Sequence, residues 1–278
     1  MDRKWVRNGF LFFLCGWLAL AGCAASPKEQ ASLFSWNPGE VDPSAWPELE
    51  VVLEERGISA VYQQMEFNDF AAVERFVAFL SARDVQTYAL MGEVDWSFAE
   101  YEQPMRASIQ AAATYNKDQK EKLAGVVLDV EPYLSTAWKT DPRGVFAQYL
   151  KNMESAYRLC EENGLELLLC IPYHFDQTVG TTLLDSLIQN ACDGIIVMNY
   201  NRRDEIGQIQ TEVELARKDR KSVTNAYEFL PAGEHGLTKN NTYAQEDASV
   251  LEASRQKLKE AYPTIRFAYH CLEALKER

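Results

Sequence analysis

The sequence predicts an α/β protein, a (β/α)8 TIM barrel in a single domain that follows an N-terminal leader. Short apolar runs recur along the chain, and longer stretches with apolar residues at helical spacing lie between them. Eight apolar runs in about 250 residues fit one barrel. An open doubly wound sheet is the alternative, but no G-x-G-x-x-G motif follows the first predicted strand.

The leader ends at Cys23. Residues 2–7 carry three basic side chains against one acid, and the 13 residues from Phe10 to Gly22 carry no charge. A membrane-spanning helix needs roughly 20 residues, so this run indicates an export signal rather than a permanent span.

The segment Leu20-Ala21-Gly22-Cys23 resembles the bacterial lipobox. The resemblance implies cleavage before Cys23 and acylation of its sulfur and new amino group, as in palmitate-bearing lipoproteins. An ordinary secretory signal with a chance cysteine stays open. We therefore expect a signal peptide at 1–22, a lipidated cysteine and tether at 23–30, and a barrel at 31–278. The protein would be exported and anchored to the cell membrane by lipid.

The predicted strands are short apolar runs that end in polar or aromatic residues. They are Ser32–Trp36, Ile58–Gln64, Val85–Met91, Gly125–Glu131, Leu165–Ile171, Gly194–Asn199, Ser222–Tyr227 and Ile265–Tyr269.

Helical periodicity predicts helices in the stretches between these strands, with Asp69 and Asp141 as helix starts and Asn163-Gly164 as a helix end. The clearest are Phe70–Arg83, Met105–Leu123, Val145–Asn163 and Gln245–Ala261.

Charge and composition exclude several classes of partner. Without residues 1–22 the chain has 25 Lys and Arg against 40 Asp and Glu. Such a surface repels nucleic acid and anionic lipid headgroups, so membrane attachment would come from the lipid alone. Neither a cofactor nor a metal site is expected, because no H-E-x-x-H or C-x-x-C motif is present. We expect a monomer.

The remaining cysteines lie in or beside apolar runs. Export would permit disulfides, but this placement favours buried free thiols. They are Cys160, Cys170, Cys192 and Cys271.

Polar and aromatic residues gather at the predicted strand ends, where TIM barrels carry their active sites. Carboxylates among aromatic rings suit a sugar, whose C–H faces stack on rings while acids act on its oxygens. Core packing is the alternative for each aromatic residue taken singly. The candidate substrate-binding residues are Trp36, Glu93, Trp96, Tyr133, Tyr173, Met198, Asn201, Glu228, Tyr269 and His270.

The fourth predicted strand carries the strongest signal. Alternation places Asp129 and Glu131 on the face that points into the barrel mouth, with Cα atoms ~6.6 Å apart. Two neighbouring carboxyls resist double ionisation, so one should keep its proton near neutral pH and serve as a general acid. The alternative is that these two acids have no catalytic role and are simply solvated or paired with a lysine.

These residues resemble family 18 glycoside hydrolases, the chitinase and endo-N-acetylglucosaminidase group. The family's strand 4 ends D-x-x-D-x-D-x-E, and this chain keeps the last two acids, with Ala124 and Val127 at the earlier aspartates. The family's M-x-Y-D reads Met198-Asn199-Tyr200-Asn201 here. Tyr269 and His270 occupy the strand 8 region where the family usually has a tryptophan.

The resemblance implies substrate-assisted hydrolysis of N-acetylhexosamine glycans. Glu131 would protonate the glycosidic oxygen, Asp129 would orient the substrate's 2-acetamido group, and Tyr200 would hydrogen-bond it. A retaining pair formed by Glu131 and Glu228, carboxyls ~5–5.5 Å apart, stays open. So does a barrel that binds glycans without catalysis.

The loop from Pro231 to Tyr243 is long enough to form a lid or substrate wall over the barrel. Its His235 is expected to be solvated rather than catalytic.

Overall fold

The computed structural model describes residues 30–276, which form a closed barrel of parallel strands. The strands are β1 (Ala31–Ser35), β2 (Ile58–Gln64), β3 (Gln86–Met91), β4 (Gly125–Leu128), β5 (Glu166–Pro172), β6 (Gly194–Met198), β7 (Ser222–Glu228) and β8 (Arg266–His270). Each strand pairs with the next along the chain, and β8 closes the barrel against β1. The predicted (β/α)8 TIM barrel is confirmed.

Every predicted strand is present, with ends that differ by at most three residues. The largest difference is in β4, which ends at Leu128 rather than Glu131. The Asp129 N–H still donates to the Met91 carbonyl at 3.0 Å. Pro132 then begins a short 3-10 helix, so Glu131 leaves the sheet and stands at its rim.

The helices lie outside the barrel. They are α1 (Trp46–Arg56), α2 (Phe70–Ser81), α3 (Glu102–Asp118), α4 (Pro142–Glu162), α5 (Phe175–Val179), α6 (Thr181–Asn190), α7 (Gln210–Lys218), α8 (Ala248–Ala261) and α9 (Leu272–Lys276).

Local capping chemistry explains where two of these helices begin. The Asp69 carboxylate accepts from Ala72 N–H at the start of α2, and Asp141 accepts from Gly144 N–H at the start of α4. Both side chains satisfy backbone donors that the first helical turn leaves unpaired. Gly164 follows the end of α4 with φ of 67°, the left-handed conformation expected of a helix terminator.

The core is apolar and close-packed around the barrel. The four cysteines within residues 30–276 are buried free thiols, as their apolar surroundings indicate. None of the described helices combines the length and apolar character needed to cross a membrane. The predicted leader, Cys23 and nearly all of the tether lie outside the described residues.

Candidate active site

A cavity of about 970 Å³ opens where the strands end and the following loops begin. This is the face on which TIM barrels carry their active sites. Its lining consists of Trp36, Asn37, Asp129, Glu131, Tyr133, Leu134, Pro172, Tyr173, His174, Met198, Tyr200, Glu228, Leu230, His235, Gly236, Leu237, Asn241, His270, Cys271 and Glu273.

The cavity brings together most of the residues predicted from the sequence. All three predicted catalytic side chains, Asp129, Glu131 and Tyr200, line it. They share it with the predicted substrate-binding residues Trp36, Tyr133, Tyr173, Met198, Glu228 and His270.

The structure places Tyr269 and Trp96 outside the cavity. Tyr269 neighbours His270 on β8, so alternation turns it to the opposite face. There its ring meets Tyr227 and Phe229, and only 2 % of it is exposed. Trp96 lies in a short 3-10 helix and is 7 % exposed. Both are core residues, which corrects their assignment to substrate binding.

Glu93 and Asn201 are also absent from the cavity lining. Glu93 is exposed at the start of the 3-10 helix after β3. Asn201 lies one residue beyond Tyr200, where its side chain accepts from Arg203 N–H at 3.3 Å. It stabilises the turn after β6, so the structure assigns it a local role instead of a substrate contact.

The carboxyls of Asp129 and Glu131 are both shifted toward the protonated form. Burial raises the pKa of Asp129 to about 6, although the charge of His270 and a hydrogen bond with the Cys170 thiol oppose the rise. Burial and the negative charge of Asp129 raise the pKa of Glu131 to about 7, against the opposing charge of His270. The Tyr133 hydroxyl donates to Glu131 Oε1. With pKa values raised into this range, the two carboxyls are suited to proton exchange near neutral pH.

One oxygen of Asp129 has no partner within the described residues. Its Oδ1 atom is buried and accepts no hydrogen bond there. A buried acceptor without a donor costs free energy, so such an atom indicates a place where a ligand donor fits.

Tyr200 supplies a neutral hydroxyl to the same cavity. Burial raises its pKa well above the ordinary value, and the charges of Glu228 and Asp129 add to the shift. The phenol therefore keeps its proton and remains a hydrogen-bond donor throughout the neutral range.

Glu228 is fixed by the backbone that follows its own strand. Its side chain is buried, and Oε1 accepts from the N–H groups of Phe229 and Leu230, both at 2.8 Å. His270 Nδ1 lies 3.1 Å from the same oxygen. The indole Nε1–H of Trp36 donates to the other ring nitrogen of His270, Nε2, at 3.1 Å.

Several lining residues were not among the sequence-predicted site residues. Glu273 of α9 accepts from the N–H groups of Trp36 and Asn37 at 3.0 and 2.9 Å, and no periodic pattern signals such a role. All three histidines of the chain line this one cavity, and His235 is exposed there, as expected for a solvated side chain. The loop from Pro231 to Tyr243 contributes part of the wall, and Arg202 Nη1 donates to its Lys239 and Thr242 carbonyls.

Within residues 30–276, no group of three His, Cys, Asp or Glu side chains is placed to hold a metal ion.

The chain folds as a (β/α)8 TIM barrel, and solved chitinases are among the structures that share this fold. No protein-family model and no curated protein matches the sequence, whereas many solved barrels match the fold. A chitinase from Chromobacterium violaceum is 14% identical over 89% of this chain and 97% of its own, with a TM-score of 0.55. The spore cortex-lytic enzyme SleL of Bacillus megaterium is 11% identical over 89% and 72%, with a TM-score of 0.56.

A sugar epimerase also matches. The D-psicose 3-epimerase of Clostridium cellulolyticum is 8% identical over 87% of this chain and 84% of its own, with a TM-score of 0.53. At this level of identity the matches establish the fold, so function has to be argued from the side chains of the cavity.

Proposed function

We propose that this protein is a glycoside hydrolase that cleaves N-acetylhexosamine-containing glycans by substrate-assisted retention. The observation that carries the proposal is the pairing of Asp129 and Glu131 in one cavity, with the pKa of Glu131 raised to about 7. A carboxyl in that range exchanges protons efficiently at neutral pH, as a general acid and base must.

Each of the three side chains has a defined part in this reaction. Protonated Glu131 gives its proton to the glycosidic oxygen as that bond breaks, while the substrate's acetamido oxygen bonds to the anomeric carbon. Asp129 Oδ1, which lacks a donor in the described protein, accepts the acetamido N–H. The Tyr200 hydroxyl donates a hydrogen bond to the same group and keeps its proton. In the second step the ionised Glu131 takes a proton from water while the water oxygen bonds to the anomeric carbon. The bond between that carbon and the acetamido oxygen breaks, which restores the acetamido group.

The environment of Glu228 supports this scheme over a protein nucleophile. A nucleophilic carboxylate must present an oxygen lone pair to the anomeric carbon. Oε1 of Glu228 already accepts from two backbone N–H groups, Oε2 lies 3.1 Å from His270 Nδ1, and the side chain is 4 % exposed. The charges that shift the pKa of Glu131 are those of Asp129 and His270.

A glycan-binding barrel without catalysis is the second candidate. Val127 is fully buried where family 18 enzymes carry an aspartate next to the catalytic pair, so Asp129 lacks that acidic neighbour. A barrel that binds sugars without cleaving them would be expected to lose this aspartate.

A hydrolysis and binding screen separates these functions. The protein is incubated with N-acetylhexosamine oligosaccharides, each matched by the analogue with a 2-hydroxyl group, and Glu131→Gln serves as the control. We expect turnover of the acetamido substrates alone and inhibition by a thiazoline mimic of the cyclic intermediate. Turnover of the 2-hydroxyl analogues would support a protein nucleophile. Calorimetric binding with no turnover would support the glycan-binding barrel.

A further inference from the structure

The hydrogen bonds around His270 fix which ring nitrogen carries the proton. An indole N–H is a donor and never an acceptor. Because Trp36 donates to Nε2 of His270, that nitrogen must be unprotonated. A neutral imidazole then carries its hydrogen on Nδ1, which lies 3.1 Å from Glu228 Oε1. The donor direction therefore runs from Trp36 to His270 and from His270 to Glu228.

The far end of this chain of hydrogen bonds is held rigidly. Glu228 is the last residue of β7 and pairs in register with His270 of β8. Phe229 N–H donates both to the Glu228 carboxylate at 2.8 Å and to the His270 carbonyl at 2.6 Å. The carboxylate thus has little freedom to follow the imidazole if the ring rotates.

We propose that Glu228, His270 and Trp36 form a proton-sensitive relay in which neutral His270 positions the Trp36 ring at the cavity wall, and proton binding releases that ring. His270 is a positioning residue in this scheme. Only the effect of the relay on substrate binding rests on the proposed function, in which the Trp36 ring contacts the sugar. The hydrogen-bond exchange itself needs no substrate.

The proton balance of the step is simple. A proton from water binds the Nε2 lone pair of His270, and the Trp36 Nε1–H to Nε2 hydrogen bond breaks because both nitrogens are now donors. The Nδ1–H to Glu228 bond stays and becomes charge-assisted. No other covalent bond changes, and no electron is transferred.

Three charged groups act on this proton, and two aromatic rings pack against the imidazole. Burial lowers the pKa of His270, but the hydrogen bond and charge of Glu228 on β7, then Asp129 after β4 and Glu273 on α9, outweigh it and raise the pKa above its ordinary value. The Tyr200 ring, just after β6, has its centroid 6.3 Å from that of the imidazole, and the Phe34 ring of β1 lies 5.5 Å away. The Trp36 N–H, which donates to Nε2, opposes protonation of His270 at that nitrogen.

The relay also links sugar binding to the catalytic pair. The charge of His270 lowers the pKa of both Asp129 and Glu131. Protonation of His270 therefore favours ionised carboxyls at the same time as it frees the Trp36 ring. We expect weaker substrate binding on the acid side of the pH profile, expressed in KM.

Nitrogen NMR of the histidines tests the relay directly, because the full chain has three of them to assign. In the wild type, neutral His270 should be the Nδ1–H tautomer. Trp36→Phe removes the opposing donor and should increase the proton affinity of His270 by roughly tenfold. Glu228→Gln removes a negative charge and should lower that affinity, while exposed His235 serves as an internal reference in every spectrum.

Clear outcomes would overturn the relay. One is an Nε2–H tautomer in the neutral wild type; another is a His270 proton affinity that Trp36→Phe leaves unchanged or lowers. Circular dichroism confirms that each variant is folded. If hydrolysis is absent but these shifts occur, the proposed function fails and the relay stands. If hydrolysis occurs and KM has the same pH dependence in wild type and Trp36→Phe, the relay fails alone.

Discussion

A Cβ atom at Gly92 would lie 2.0 Å from the backbone oxygen of Asp129. Gly92 follows β3, and Asp129 follows β4, where Met91 and Leu128 are register partners. The missing side chain lets these two segments approach each other as they leave the sheet. The position of the Asp129 and Glu131 carboxyls therefore depends on a glycine that is not among the cavity-lining residues.

We expect Gly92→Ala to impair turnover by displacing Asp129. A backbone oxygen cannot move away as the end of a flexible side chain can, so the segment that carries the carboxyls must shift. Small misplacements of reacting groups reduce rates by about 10²-fold. Kinetics and thermal unfolding should be measured together. Gly164→Ala is the control, because its φ of 67° costs stability by about 1–2 kcal/mol, whereas a Cβ there meets no atom within 4 Å. Equal activity in both variants would contradict this account.

The pH profile should report the proton on Glu131. Its pKa is raised to about 7, and the acid is active when protonated, so kcat should fall as pH rises through that value. Tyr133 donates to Glu131 Oε1 and stabilises its ionised form. Tyr133→Phe should therefore move the alkaline limb to higher pH. Tyr173 also lines the cavity, so Tyr173→Phe is the matched control and should leave the alkaline limb in place. A limb that stays in place in Tyr133→Phe would argue against Glu131 as the group that titrates.

The sequence was sufficient to predict which side chains meet at the centre of the candidate site. Period-two alternation along an apolar strand places Asp129 and Glu131 on one face, and the strand-end rule of TIM barrels places that face at the mouth. The same rule predicts that Tyr200 and Trp36, which also follow strand ends, lie at the mouth, and both line the cavity. These predictions depend on local geometry alone, which a sequence encodes directly.

Residues whose place depends on loop paths were harder to predict. Trp96 follows β3, but the chain turns there into a 3-10 helix whose Trp96 carbonyl accepts from Asn152 of α4. The ring is buried as a result. Glu273 reaches the site through hydrogen bonds to the backbone after β1. Long-range backbone contacts of this kind produce no periodic pattern in the sequence. Tyr269 is adjacent to His270 on β8, and alternation places their side chains on opposite faces of the strand.

The anchoring prediction can be tested without a structure of the leader. Cys23 follows a lipobox-like segment, and lipidation requires its sulfur. We expect Cys23→Ser to abolish metabolic labelling with a palmitate analogue and to leave the uncleaved precursor. Ala25→Ser changes a neighbouring small residue and should label normally. Labelling that stays unchanged in Cys23→Ser would show that Cys23 is not the lipidation site.

Glu212 on α7 should make stability depend on pH. It is fully buried, and burial, with a smaller effect from Asp176, raises its pKa from 4.5 to about 8. The unfolded chain releases this proton near the ordinary value, so the folded state loses stability as pH rises from about 5 to 8. Glu212→Gln should therefore unfold at a higher temperature than wild type, by a margin that grows across that range. The exposed Glu214→Gln on the same helix should show no such trend.

The two catalytic schemes make opposite demands on Glu228. Substrate assistance needs Asp129 to hold the acetamido N–H and Tyr200 to donate to the same group. Asp129→Asn and Tyr200→Phe should then each reduce kcat by on the order of 10²–10³-fold, the usual effect of removing one group that stabilises developing charge. Glu228→Gln keeps an oxygen that can accept from the Phe229 and Leu230 N–H groups, so its effect should be smaller and should appear mainly in KM.

A protein nucleophile reverses this order, because without Glu228 no covalent intermediate forms. Single-turnover kinetics with all three variants, combined with mass spectrometry for a glycosyl-enzyme, decides between the schemes. Trapping of such an adduct on Glu228 would exclude substrate assistance.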